Sequence, residues 1–356
     1  MRIAQVAPLY ESVPPRLYGG TERVVWALTE ELVRRGHDVT LFASGDSATS
    51  ARLVPCCDEA LRLAGRIEEA HAATTIQLGL VYGRADEFDL IHNHIDYACF
   101  PLARLVRTPT LTTLHGRLDL GAVQRLSRYF VDLPLVSVSH AQRRHLPTAH
   151  WVATVYHGIP LEHYTLRTRP GEYLAFLGRI SIEKRLDRAI EIARAAELPL
   201  KVAAKIDPAD RDYYHHAIKP LLAHPLVEYV GEVDERGKDE FLGNAYACLF
   251  PIDWPEPFGL TMVEAMATGT PVIAMACGAA PEVVESGVTG FVCRSLDEMV
   301  AAVRRVPEIS REACRRHVEA RFSAARMAAD YEAVYARLLE ARRSLRPERL
   351  PQTVVA

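Results

Sequence analysis

Residues 161–184 read LEHYTLRTRPGEYLAFLGRISIEK, and the fold turns on where this stretch breaks. Its first part, 161–172, is polar, carries Pro170-Gly171, and follows neither the period of a strand nor that of a helix. It reads as a linker. Directly after it, 173–177 (YLAFL) is a short apolar run of the kind a strand buried on both faces requires. Six such runs precede the linker, at 3–7, 39–43, 90–92, 109–114, 135–138 and 152–156. From 173–177 onward the pattern restarts, with further runs at 200–204, 227–230, 247–251, 271–275 and 290–292. Amphipathic stretches such as 21–35 and 186–196 lie between them. Strands alternating with helical segments predict an α/β fold with parallel sheets, here in two halves, 1–165 and 166–322. After Ser310 the pattern is helical only. There Val334, Leu338, Leu339 and Ala341 lie among Arg337, Arg342, Arg343 and Arg346. Such a basic amphipathic helix fits an anionic membrane surface. Glu332 and Glu340 dilute its charge, however, and its Ala-rich face favours packing on the protein. Residues 347–356 read as a loose tail.

The length of 356 residues suits two domains at roughly 100–200 residues each. Lys and Arg number 42 against 45 Asp and Glu, a net charge of −3, which excludes a general nucleic-acid binder with its basic stripe. No run approaches the roughly 20 apolar residues of a spanning helix. The N-terminus, Met1-Arg2-Ile3-Ala4-Gln5-Val6-Ala7-Pro8, reads as a strand rather than a signal peptide, so a cytoplasmic location is expected. Of the 42 basic residues 37 are Arg, and 1–165 contain no Lys, which we ascribe to coding bias. The seven cysteines show no C-x-x-C spacing, so free, mostly buried thiols are expected.

Three segments carry chemistry. Run 3–7 leads through a loop to Gly19-Gly20-Thr21-Glu22, where a helix opens with Val24, Val25, Leu28, Leu32 and Val33 on one face. Two glycines before a helix N-terminus let backbone N–H groups approach an anion where the helix dipole favours it. No G-x-G occurs in the chain, so the dinucleotide fingerprint G-x-G-x-x-G is absent, and there is no Walker loop of the G-x-x-x-x-G-K-[ST] pattern either. Run 173–177 ends in Gly178-Arg179…Glu183-Lys184, at the carboxyl end of a strand where α/β sheets bind ligands. Arg179 and Lys184, expected on either side of a helix start, offer a planar fork and a movable point charge to a diphosphate. Third, residues 255–271 read PEPFGLTMVEAMATGTP. Glu256 is held extended between two prolines, Phe258 follows, and a helix expected from about Gly259 exposes the amides of Gly259, Leu260 and Thr261. Glu264 lies about 1.4 turns into that helix. Two carboxylates so placed suit the vicinal hydroxyls of a sugar and of a ribose, because each accepts two hydrogen bonds.

On Gly19-Gly20 with Glu22, the Gly178-Arg179…Glu183-Lys184 turn and the E-x7-E pair Glu256/Glu264, the chain resembles the retaining glycosyltransferases of family 4, over about residues 1–340. The resemblance implies the GT-B fold: two Rossmann-like parallel-sheet domains facing a cleft, with a C-terminal helix (about 323–346) returning to the first. It also implies that Arg179, Lys184, the amides of Gly259, Leu260 and Thr261, and Gly20 bind a nucleoside diphosphate. Glu264 would hold the ribose, Glu256 the transferred sugar, and the segment 229–233, with Gly231, the base. His115, in Thr113-Leu114-His115-Gly116, matches the family's reaction-centre histidine. The implied reaction moves a hexosyl group from a nucleoside-diphosphate sugar to an acceptor hydroxyl, with retention, no cofactor and no metal. A UDP-hexose is the favoured donor, then GDP-mannose or an ADP-sugar. The acceptor, unnamed, is expected at loops 10–18, 93–100 and 117–121. Where many relatives carry Asn-Gly-Val this chain has His157-Gly158-Ile159, which leaves the role of position 157 open.

Competing constellations are weaker. His92, His94 and Asp96 alternate as metal ligands on a strand would, but a strand end in a cleft needs polar groups anyway. Asp210-Arg211-Asp212 follows Asp207-Pro208, which reads as the cap and first residue of a solvated helix. Two other functions fit the motifs: a nucleotide-sugar epimerase of the same fold, and a sugar-nucleotide-binding protein without catalysis.

Overall fold

The computed structural model describes residues 1–344; Arg346 and the tail 347–356 lie outside them. The first sheet holds β1 (Arg2–Val6), β2 (Asp38–Ser44), β3 (Arg52–Cys57), β4 (Leu90–Asn93), β5 (Thr110–Leu114), β6 (Leu135–Ser137) and β7 (Trp151–Thr154). Its order is β3-β2-β1-β4-β5-β6-β7. The second holds β8 (Tyr173–Arg179), β9 (Leu200–Lys205), β10 (Val227–Gly231), β11 (Ala245–Phe250), β12 (Val272–Met275) and β13 (Gly290–Cys293), in the order β10-β9-β8-β11-β12-β13. Every pairing in both sheets is parallel. Strand order therefore reverses beside β1 and beside β8, and ligands of open α/β sheets bind in the crevice at such reversals. Gly19-Gly20 follows β1 and Arg179–Lys184 closes β8, so both anion motifs stand at those crevices.

One strand was not legible as an apolar run. In β3 (RLVPCC) most side chains are exposed or half-exposed, and Pro55 cannot donate to a ladder. The strand tolerates it because it lies at the sheet edge.

The helix Gly20–Arg34 buries Val24, Val25, Leu28 and Leu32. Against it lies the last helix, Ala324–Ser344, whose Met327, Ala328, Tyr331, Val334 and Tyr335 form one cluster with Ile3, Val24, Leu28, Leu32 and Leu111 of the first domain. Glu332 receives hydrogen bonds from Arg35 Nη1 and pairs with His37, each at 2.7 Å. The apolar face of this helix is thus covered by protein. Ala341, expected within that face, is exposed. No described helix is long and apolar enough to cross a membrane. The chain returns between domains where Ile159 bridges Ser323 through backbone bonds to its two neighbours (Ile159 N to Phe322 O, Ala324 N to Ile159 O, both 2.9 Å). A side chain at Gly158 would fall on the Ser323 carbonyl there. All seven cysteines are free, five of them buried.

Candidate active site

Between the domains lies a cavity of about 620 Å³, walled by the loops after β1 and β8, the ends of β9 and β11, and the start of the helix Leu260–Ala267. Gly259 caps that helix in the left-handed region (φ 87°), where a Cβ would stand 2.5 Å from Met262 Cε; only glycine turns the chain here. The first-turn amides have no helical carbonyl four residues back, and Gly259, Leu260 and Thr261 line the cavity. Across the gap, a Cβ on Gly20 would sit 3.6 Å from Leu260 Cδ1, so two helix N-termini meet at one point.

The two carboxylates are built alike. Glu256, 8% exposed, is held at Oε2 alone, by an ion pair with Lys184 and by Trp254 Nε1 at 2.9 Å. Its backbone is clamped by Ala279 N (2.9 Å to Glu256 O), and a side chain at Gly278 would clash with it. Glu264, 4% exposed, is held at Oε1 alone: Lys238 Nζ at 2.5 Å, Tyr164 Oη at 3.2 Å and Arg23 Nε at 3.8 Å. Burial pushes the Glu264 carboxyl up, but Lys238 and Arg23 outweigh it and hold it below the ordinary range. Each acid therefore keeps one oxygen without a partner among the described residues, and both line the cavity. Arg23, from the first domain, also pairs with Glu235 of the second, bridging the cleft.

Lys184 Nζ lies 5.5 Å over the Phe250 ring and 5.1 Å over Trp254. Arg179 Nη2 donates to Glu183 Oε1 at 2.7 Å, and its Nε lies 3.2 Å from Asp210. Three expectations need correcting. The helix after β8 starts only at Leu186, so Arg179 ends the strand and Lys184 sits in the turn before the helix rather than across its start. Asp210 is not simply solvated; it faces Arg179, although Asp207 does cap Ala209 N at 3.2 Å. Gly231, which ends its strand with φ 82°, does not line the cavity; Glu232 and Val233 do.

His115 lines the cavity, and burial lowers its imidazole to about 3, so it is neutral. His157 fills the place where the family pattern departs: its ring stacks on His115 (5.1 Å, 15°) and meets Phe258 edge-on at 4.8 Å. His92 and His94 are fully or nearly fully buried and hydrogen-bonded to protein groups, and no cluster of three metal-ligating residues occurs among the described residues. On the first-domain wall Tyr10, Leu17 and Tyr18 line the cavity, as does Gly116, but segments 93–100 and 117–121 do not; Arg62 and Ile67 do. Sequence reasoning missed Arg23, Lys205, Lys238 and Trp254 altogether.

Glu22 also lines the cavity, 5% exposed, and burial raises its carboxyl to about 7. A folded pKa above the unfolded value means that this group's contribution is complete below about pH 4.5 and is lost as pH rises through about 7. Glu22→Gln is accordingly expected to stabilise the protein at pH 8 by on the order of 2 kcal/mol. The gain should shrink as pH falls toward 5. Thermal melts of both proteins across that range check it; a gain that grows on acidification would contradict it.

Residues 18–163 match the model of Glycosyltransferase Family 4, and residues 166–321 that of Glycosyl transferases group 1. The chain is 26% identical over 386 residues to glycogen synthase of Mycobacterium tuberculosis, spanning 93% of this chain and 91% of that protein. It is 26% identical over 309 residues to phosphatidyl-myo-inositol mannosyltransferase of Propionibacterium freudenreichii, 77% of each. Among solved structures, sucrose-phosphate synthase of Thermosynechococcus elongatus has the same fold (TM-score 0.74, 20% identity, 96% of this chain and 99% of that one). So does Anabaena HepE in complex with UDP-glucose (TM-score 0.71, 19% identity, 96% and 100%). Two parallel Rossmann-like domains around one cleft define the GT-B class. The chain belongs to glycosyltransferase family 4 and is a glycosyltransferase.

Proposed function

We propose that the protein transfers a hexosyl group, with retention of anomeric configuration, from a nucleoside-diphosphate sugar to an acceptor hydroxyl, using no metal. The observation that carries this reading is the pair of half-occupied carboxylates, Glu256 and Glu264, on the cavity that also holds Lys184, Arg179 and a helix N-terminus. Glu264 Oε2 takes the ribose hydroxyls and Glu256 Oε1 the hydroxyls of the sugar. The diphosphate between them meets Lys184, Arg179 and the amides of Gly259, Leu260 and Thr261, with Gly20 closing from the other domain. Negative charge grows on the departing phosphate as the glycosidic bond breaks, and fixed positive groups in a site with little water stabilise that charge most. A protein nucleophile is not required if the acceptor attacks from the face the phosphate leaves and gives its proton to a phosphate oxygen. His115 then orients the sugar. The donor base lies by Glu232, Val233 and Lys205. A uridine donor is favoured by the UDP-glucose complex of HepE, a protein of the same fold.

Incubation with a labelled UDP-hexose and a panel of acceptors, with products followed by proton NMR, tests the reading. A free nucleoside diphosphate with a glycoside of unchanged anomeric configuration is expected, at a rate unaltered by EDTA. An isomerised nucleotide sugar would make the protein an epimerase. Binding without turnover across the panel would leave a sugar-nucleotide-binding protein, and an inverted glycoside would refute retention.

A further inference from the structure

Behind His115 runs a chain of buried hydrogen bonds that the proposed chemistry does not use. Gln5, on β1, is fully buried; its Oε1 lies 2.8 Å from His94 Nε2 and its Nε2 3.3 Å from Tyr335 Oη. His94 Nδ1 lies 2.9 Å from His115 Nε2. An amide oxygen only accepts, so the proton of His94 sits on Nε2. Its Nδ1 is then a lone pair and accepts the proton of His115 Nε2. A neutral imidazole has a single N–H, so His115 Nδ1 carries a lone pair, and this atom is buried with no partner among the described residues. The same direction holds outward. The amide N–H of Gln5 donates to Tyr335 Oη, Tyr335 to His92 Nδ1 at 2.7 Å, and His92 Nε2 to Thr113 Oγ1 at 2.8 Å, which lies 2.9 Å from Tyr331 Oη. Turning the amide over would reverse every link and leave a buried N–H of His115 orphaned in place of a lone pair, the costlier arrangement.

We propose that Gln5 and His94 are positioning residues: they fix the proton of His115 on Nε2 and leave Nδ1 as the acceptor for a substrate hydroxyl. Its functional meaning rests on the reading above that His115 meets the transferred sugar. The relay also ties the reaction centre to Tyr331 and Tyr335 of the returning helix, so seating of that helix and orientation of His115 are one event. A carboxylate or backbone carbonyl commonly fixes a functional imidazole in this way; here a glutamine acts through a second histidine.

The test uses the full chain labelled with nitrogen-15 in histidine, with His115 assigned by the signals lost in His115→Asn. Wild type is expected to show a protonated Nε2 and a pyridine-like Nδ1 at His115. A protonated Nδ1 overturns the proposal, whatever the variants do. Gln5→Met is expected to let His115 sample both tautomers. It should lower kcat roughly ten- to hundred-fold, the range seen when an orienting partner behind a ligating imidazole is lost. Donor KM should change by less than about three-fold. Gln5→Glu keeps an acceptor toward His94 and should restore the Nε2 proton on that residue. An unchanged His115 tautomer in folded Gln5→Met overturns the proposal. A changed tautomer with full turnover upholds the relay and refutes the role of His115 at the sugar.

Discussion

Replacing Lys184 with alanine is expected to lower kcat/KM for the nucleotide-sugar donor by about 10²–10³, the cost of removing one fixed donor aimed at developing negative charge. The ammonium lies over the Phe250 and Trp254 rings with its side chain 18% exposed, so little water screens it. Its only anionic partner among the described residues is Glu256. Arg179, by contrast, is matched by Glu183 and faces Asp210, and its net field on a diphosphate is correspondingly weaker. Arg179→Ala should therefore cost less than Lys184→Ala, although a guanidinium ordinarily grips phosphate better than an ammonium. Lys184→Arg restores charge but not shape, since a planar fork must take the place of a compact ammonium beside Phe250, Trp254 and Glu256; partial recovery is expected. Steady-state kinetics with the donor varied decide the point. Lys184→Ala retaining more than a third of wild-type kcat/KM would remove Lys184 from the diphosphate site.

How much of this was legible differs between scaffold and site. The sheets could be read because both are wholly parallel and buried on two faces, so each interior strand appears as a continuous apolar run; only the edge strand Arg52–Cys57, half-exposed and holding Pro55, escaped. The acids of the second domain could be read because each is marked by local sequence, Glu256 by flanking prolines and Glu264 by apolar neighbours among which an uncommitted carboxylate is costly. Their partners could not. Arg23, Tyr164 and Lys238 reach Glu264 from other elements, and nothing within three or four positions of any of them announces the contact. One signal was available. The chain has only five lysines among 42 basic residues, and three of them, Lys184, Lys205 and Lys238, line the cavity. Lys201 and Lys219 lie elsewhere, but a lysine kept at the cavity in a chain that otherwise writes its cations as arginine supplies a compact point charge on a flexible stem rather than a fork. What looked like coding bias in the first half made the exceptions in the second half informative. The relay behind His115 was illegible for a different reason: Gln5, His94 and Tyr335 are separated by up to 330 positions and meet only because the last helix returns.

Glu264→Leu is expected to have two separable effects, on folding and on the donor. Removing the carboxylate strands Lys238, 6% exposed, without its closest counter-ion, and breaking a buried pair from one side costs about 3–5 kcal/mol. Burial already lowers the Lys238 ammonium to about 8. Above that pH the wild-type pair is itself losing its charge, so the penalty of Glu264→Leu shrinks as pH rises from 7 toward 9. Adding Lys238→Met removes the stranded cation and fills its space with an apolar chain, and should return most of the lost stability, since Arg23 still has Glu235. Donor binding must not return with it. Glu264 Oε2 is the oxygen left for the ribose, and a hydrogen bond to a charged acceptor contributes about 1.5–3 kcal/mol, so affinity for UDP should stay roughly 10- to 150-fold weaker in the double variant. Chemical denaturation and calorimetric titration on the same three proteins separate the two effects. If the double variant recovers both stability and UDP affinity, the Glu264–Lys238 pair is a structural clasp between the helices Glu235–Gly243 and Leu260–Ala267, and the ribose must be held elsewhere in the cavity.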